Sequence, residues 1–93
     1  MTITLTNHGY ERMKERTHFA PSQFLSIAEE AYYCGKDIDD FPKETRRYLK
    51  NVLEGSTGDY LKVLGNIIYI FGNGCLITVF SFPNKILSKN GRK

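Results

Sequence analysis

YLKVLGNIIYIFGNGCLITVFSF, residues 60–82, decides the fold. Three apolar runs, Tyr60 to Leu64, Ile67 to Phe71 and Cys75 to Phe82, are separated by Gly65-Asn66 and by Gly72-Asn73-Gly74. Two-residue Gly-Asn and Asn-Gly connections favour primed turns, which need positive φ, so the runs predict an antiparallel meander that Pro83 terminates. With Gly65-Asn66 as the first loop, Leu64 pairs with Ile67, Val63 with Ile68, Lys62 with Tyr69 and Leu61 with Ile70. With Asn73-Gly74 as the second, Phe71 pairs with Leu76, Ile70 with Ile77, Tyr69 with Thr78 and Ile68 with Val79. Leu61, Val63, Ile68, Ile70, Ile77 and Val79 then make one aliphatic face for helices to cover. The other face carries Lys62, Tyr69 and Thr78 in one cross-strand row, flanked by aromatic residues including Tyr60, Phe71, Phe80 and Phe82. A three-residue loop at Gly72-Asn73-Gly74 is the alternative, and it would flip the last strand and bury Thr78 in place of Ile77.

Upstream the period is helical. Phe24, Ile27, Ala28, Ala31 and Tyr32 form one apolar stripe that Pro21 opens and Gly35 stops. Pro42 opens a third helix with Tyr48, Leu49, Val52 and Leu53 inward, Gly55 at its end, and Lys43, Arg46, Arg47 and Lys50 on its outer side. Asp37 to Phe41 is the acidic connection before it, with Asp39 and Asp40 favourably placed against its dipole. The first helix spans Asn7 to Arg16, with Asn7 as its cap, Gly9 costing a fraction of its stability, and Thr17 to Ala20 ending it. Before it, Thr2 to Thr6 alternate polar and apolar as a short edge strand or extended lead-in. The order predicts an α+β fold, N-terminal helices packed on one face of a C-terminal antiparallel sheet, as one domain over residues 1–83 followed by a flexible basic tail at 84–93.

Ninety-three residues with 41% hydrophobic content suit a single core. No stretch reaches the length of a membrane span and residues 1–7 lack the features of a signal peptide, so no membrane association and a cytoplasmic location are expected. Cys34 and Cys75 sit in neither a disulfide framework nor a zinc pattern and read as buried thiols. The net charge of +3 is concentrated at the C-terminus: Lys85, Lys89, Arg92 and Lys93 leave residues 1–84 with nine basic against ten acidic side chains. Affinity for a polyanion therefore has to come from local clustering or from the tail.

His8, Arg12 and Arg16 are four residues apart, so each is displaced by only about 40° around the helix and all three share a side. An imidazole that titrates near neutrality can move a proton, and arginine forks bind phosphate oxygens and the charge of a pentacovalent transition state. An ordinary amphipathic helix with solvated arginines accounts for the same spacing. Likewise the Lys62, Tyr69 and Thr78 row offers one charge and two rotatable donors for a phosphate, while strand propensity and a solvated lysine explain it equally. His18 in the following loop reads as a surface residue, and the basic side of the third helix as a solvated face or an RNA track. No calcium-loop spacing, helical His pair, nucleophilic triad or phosphate loop occurs, so neither a metal nor another cofactor is expected.

The opening ITLTNHGYERMKERT, with its T-x-H-x-x-x-R-x-x-x-R spacing, and the later YLKVLGNIIYIFGNGCLITVFSFP resemble short bacterial and phage proteins of a broad ribonuclease assemblage. That assemblage includes barnase, RelE-type toxins, colicin nuclease domains and contact-dependent toxin tips, and the likeness spans roughly residues 2–83. It implies N-terminal helices before a four-stranded antiparallel sheet and, in active members, RNA cleavage without metal. It further implies His8 as acid or base, Arg12 and Arg16 on phosphate, Lys62 stabilising the transition state and Thr78 positioning phosphate or ribose. Tyr69 enters as a substrate contact from the strand register alone. The strands contain no Glu to serve as the general base of barnase-like enzymes, so inactive members are compatible with the pattern.

Two functions are expected from this. The first is a metal-independent endoribonuclease, a toxin or mobile-element effector acting on free or ribosomal RNA and countered by an antitoxin or immunity protein. The second is a non-catalytic phage or mobile-element module that binds a protein or nucleic acid, with a homodimer through the aromatic sheet face as one form of it. A nucleic-acid-binding regulator is a third class, against which stands the absence of a helix-turn-helix pattern before the sheet.

Overall fold

Both turns form as their residues require. In the computed structural model, which describes residues 3–82, Asn73 and Gly74 both have positive φ (55° and 77°), while at Gly65-Asn66 only the glycine does (63°). These are the primed geometries that match strand twist. They join β2 (Tyr60–Leu64), β3 (Ile67–Gly72) and β4 (Cys75–Ser81). The β2/β3 register is the predicted one, Lys62 opposite Tyr69 and Leu61 opposite Ile70.

The β3/β4 register departs from prediction midway. Phe71 faces Leu76, but Ile70 faces Thr78, Tyr69 faces Val79 and Ile68 faces Phe80, because a bulge adds one residue to β4 at Ile77. One extra residue reverses the side-chain alternation of everything beyond it. Thr78 therefore shares a face with Ile70, and the expected Lys62, Tyr69 and Thr78 row is corrected to Lys62, Tyr69 and Val79. The two-residue turn is retained; a bulge, and not a longer loop, moves Thr78.

Among the described residues the sheet has four strands in the order β1-β4-β3-β2. β1 (Thr4–Leu5) runs parallel to β4, with Thr4 beside Cys75 and Leu5 beside Leu76, so the sheet is mixed and not purely antiparallel. Three helices and two strands separate β1 from β4, so no hairpin dictates antiparallel pairing between them.

The helices α1 (Asn7–Arg16), α2 (Phe24–Cys34) and α3 (Lys43–Glu54) cover both faces of the sheet, where one covered face was expected. Met13 of α1 and Phe24, Ala28 and Ala31 of α2 bury Tyr69, Phe71, Leu76 and Val79. Leu49 of α3, with Tyr48, Val52 and Leu53 partly buried beside it, packs on Leu61, Val63, Ile68 and Ile70. Strands apolar on both sides are stable only when both sides are covered. The exposed aromatic face on which a homodimer would rest is thereby corrected: Phe71 is fully buried and Phe82 is 5% exposed, although Tyr60 stays at 36%.

Local details follow the same logic. Thr6, and not Asn7, caps α1, its Oγ1 accepting from the Gly9 N–H at 2.9 Å. A three-residue 3-10 turn at Pro21–Gln23 precedes α2, and another, Ile38–Asp40, precedes α3. Cys34 is exposed and Cys75 half-buried, which corrects the expectation of two buried thiols; both are free. No described helix is long and apolar enough to cross a membrane. Pro83 and the predicted basic tail lie outside the described residues.

Candidate active site along the edge of the last strand

β1 pairs only with the start of β4, through Cys75 and Leu76. Beyond that point the outer edge of β4 has backbone groups that need other partners. α1 supplies them. At its N-terminal end the Thr6 N–H and Oγ1 both donate to the Leu76 carbonyl (3.1 and 3.2 Å), and Gly9 packs so tightly that a Cβ would collide with that oxygen. At its C-terminal end Arg16 Nη1 donates to the Val79 carbonyl at 2.9 Å, and the guanidinium lies 5.0 Å from the Phe80 ring centroid. Gly9 to Arg16 advances about 10 Å along a helix; Leu76 to Val79 advances about 10 Å along a strand. The two elements run side by side in one direction, anchored at both ends.

This alignment sets the candidate residues. His8 is exposed, Arg12 is half-buried and paired to Glu15 at 3.2 Å, and Arg16 bends over the strand edge onto Phe80. Thr78 and Phe80 are half-buried and belong to the same sheet face, the one beyond the edge that Arg16 crosses. Of the six sequence-predicted residues, His8, Arg12 and Arg16 therefore belong to the helix that runs along β4 and Thr78 to β4 itself, and of the three α1 side chains Arg16 reaches the strand. Arg16 has donors left after its one bond to Val79, since a guanidinium carries five.

Lys62 and Tyr69 are elsewhere. They lie on the opposite face beneath α2, with only 7% and 1% exposure. The Lys62 ammonium is 2.8 Å from Asp37 Oδ1, donates to the Gly35 carbonyl at the end of α2 at 3.4 Å, and lies 5.4 Å from the Tyr60 ring centroid. Burial by itself would lower its pKa, but the Asp37 carboxylate and the Tyr60 phenol outweigh burial and raise it. Next to this pair, the Lys36 and Val63 backbones exchange two hydrogen bonds of 2.8 and 2.9 Å, so β2 is stitched to the segment after α2. Lys62 acts here as a clasp. Replacing it by Met, which keeps the apolar stem, is expected to change the stability by no more than about 1 kcal/mol, since a desolvated ion pair gains little over apolar packing. Any RNA-cleaving activity is expected to survive the change, as measured by thermal melting and by cleavage of the same preparation.

Tyr69 sits in the core, where burial, assisted by the charge of Glu30, pushes its pKa up to about 12. The folded chain therefore keeps the phenol proton longer than the unfolded chain, whose tyrosine ionises near 10. Stability from this group is complete below pH 10 and is lost as pH rises from 10 through 12, a change of about 2–3 kcal/mol at full ionisation. Lys62, with its raised pKa, adds a loss in the same direction above its ordinary value of 10.5. Alkaline titration followed by circular dichroism and tyrosinate absorbance should show cooperative unfolding in this range, and Tyr69→Phe should move the midpoint upward.

At the far end of α1 a cavity of about 500 Å³ opens between the helix end, the Gly65-Asn66 turn and the end of β4. Arg16, His18, Phe19, Asn66, Ile67 and Ser81 line it. The sequence placed His18 on the surface, and it is exposed, but it also stands beside Arg16 in this cleft. The signal was its position two residues past the last arginine of the α1 row. A second, shallower basic surface lies on α3, where Lys43, Arg46, Arg47 and Lys50 line one side. No group of three or more His, Cys, Asp or Glu side chains with metal-binding geometry occurs among the described residues. No protein-family model matches this chain, and no curated protein or solved structure matches it either.

Proposed function

We propose that this chain is an endoribonuclease of the barnase and RelE type, acting at the edge between α1 and β4 without a metal. The observation that carries this reading is the side-by-side course of α1 and β4, anchored at Leu76 and at Val79, two elements that between them carry an imidazole, two guanidiniums and a hydroxyl. In the proposed reaction His8 takes the proton of a ribose 2′-hydroxyl as that oxygen attacks the adjacent phosphorus. The bond from phosphorus to the 5′-oxygen breaks, and the departing oxygen is reprotonated by the imidazolium or by water. Arg12 and Arg16 balance the charge that accumulates on the phosphate oxygens, and Thr78 donates to one of them. The products are a 2′,3′-cyclic phosphate and a 5′-hydroxyl. The test is incubation of purified protein with total RNA in EDTA, and separately with ribosomes, followed by end-group analysis. Cyclic phosphate ends that disappear in His8→Ala support the reading; intact RNA in both incubations with folded protein overturns it.

A second reading, a non-catalytic module that binds a nucleic-acid target, has its own support in the basic side of α3. It predicts that Arg46→Ala and Arg47→Ala weaken RNA binding and flatten its salt dependence, while His8→Ala does not.

A further inference from the structure

We propose that the cleft at the end of α1 is a nucleobase-binding subsite that receives a base next to the phosphate held by Arg16. The inference rests on RNA being the ligand of the α1 and β4 edge. Its apolar lining is Ile67, Phe82 and Phe19, the last 37% exposed although large aromatic side chains are usually more buried. An exposed ring at a cleft is a stacking platform for any base. The polar lining, His18, Asn66 and Ser81, offers donors and acceptors of the kind that read base edges.

Both walls are pinned. Thr17 Oγ1 donates to the Met13 carbonyl at 2.7 Å and accepts from the Phe19 N–H at 3.4 Å, which fixes the path of the chain leaving α1. Across the cleft the Phe82 N–H donates to the Asn66 carbonyl at 2.7 Å, tying the β2/β3 turn to the end of β4. A cleft of this size, formed before ligand arrives, avoids the ordering cost that a mobile loop would impose. Arg16 is at once the last member of the α1 row and a lining residue of the cleft, so a strand with a phosphate at Arg12 has its next contact about 6 Å along the helix, at the mouth of the subsite.

The chain contains no tryptophan, so Phe19→Trp introduces a single reporter. A short 2′-O-methyl oligonucleotide of mixed sequence, which lacks the attacking hydroxyl, is the probe. Saturable quenching of the new tryptophan is expected, together with about tenfold weaker binding of the same probe by Phe19→Ala in fluorescence anisotropy. Tyr33→Ala, at an aromatic residue 57% exposed on α2, should leave binding unchanged. Binding without quenching, and without loss in Phe19→Ala, overturns the subsite. Total RNA cleaved normally by Phe19→Ala would then leave the ribonuclease reading standing without it. Quenching with no cleavage by the wild-type chain would retain the subsite and remove the catalytic reading, and absence of both binding and cleavage removes both.

Discussion

Gly9→Ala is expected to destabilise the fold by about 3 kcal/mol or more, although alanine is the better helix former by about 1 kcal/mol. The sign reverses because of where Gly9 sits. Its Cβ would occupy the space of the Leu76 carbonyl oxygen, and that oxygen also accepts from the Thr6 N–H and hydroxyl. Neither backbone can yield without losing those bonds, and no flexible side chain is available to give way. For a domain of this length the melting temperature should fall by roughly 12–25 °C. Gly55→Ala is the internal comparison. Gly55 already has helical backbone angles, and its Cβ would meet nothing closer than 3.4 Å, so its melting temperature should stay within a few degrees of wild type. Equal melting of wild type and Gly9→Ala would mean that α1 does not lie against β4 as described.

The second large effect is on the proposed chemistry. His8→Ala should lower the rate of cyclic phosphate formation by about 10²–10⁴-fold, the range for loss of a positioned proton-transfer group. His8 is exposed on the first turn of α1 and accounts for none of the described packing, so the melting temperature should move by less than about 2 °C. Arg12→Ala should also slow cleavage at nearly unchanged stability, since its pair with Glu15 is solvent-accessible and contributes little. Arg16→Ala differs: it removes the bond to Val79 and the contact with Phe80, so loss of activity should come with a measurable loss of stability. A His8→Ala protein that melts normally and cleaves at the wild-type rate would place the proton transfer on another group or remove the ribonuclease reading.

How far the sequence reveals this arrangement depends on the range of the interaction. The hairpin turns and the Lys62 and Tyr69 pairing are local and were legible, because Gly-Asn and Asn-Gly dictate backbone geometry within a few residues. The bulge at Ile77 was not, since Ile77 and Val79 satisfy the hydrophobic alternation in either register. The cover on both faces was in fact signalled by Leu64, Ile67, Phe71 and Leu76, too apolar a set for a solvated face. The burial of Lys62 depends on Asp37 and Gly35, which lie on a different element more than twenty residues away, and nothing beside Lys62 in the chain announces them. The row of His8, Arg12 and Arg16 was visible from helical spacing, but the course of α1 along β4 follows from the tight seat of Gly9 and the face taken by Thr78 from the bulge, both tertiary.

The seam between α1 and β4 also bears on synthesis. Thr6 and its partner Leu76 are 70 residues apart in sequence, and α1 finds its other anchor at Val79. Contacts of such separation form late, after the cost of closing the intervening chain has been met. On a translating ribosome α1 emerges before β4 and must wait for it, so the edge proposed to act on RNA is absent from every nascent chain that stops short of β4. A chain released before β4 is made lacks that seam.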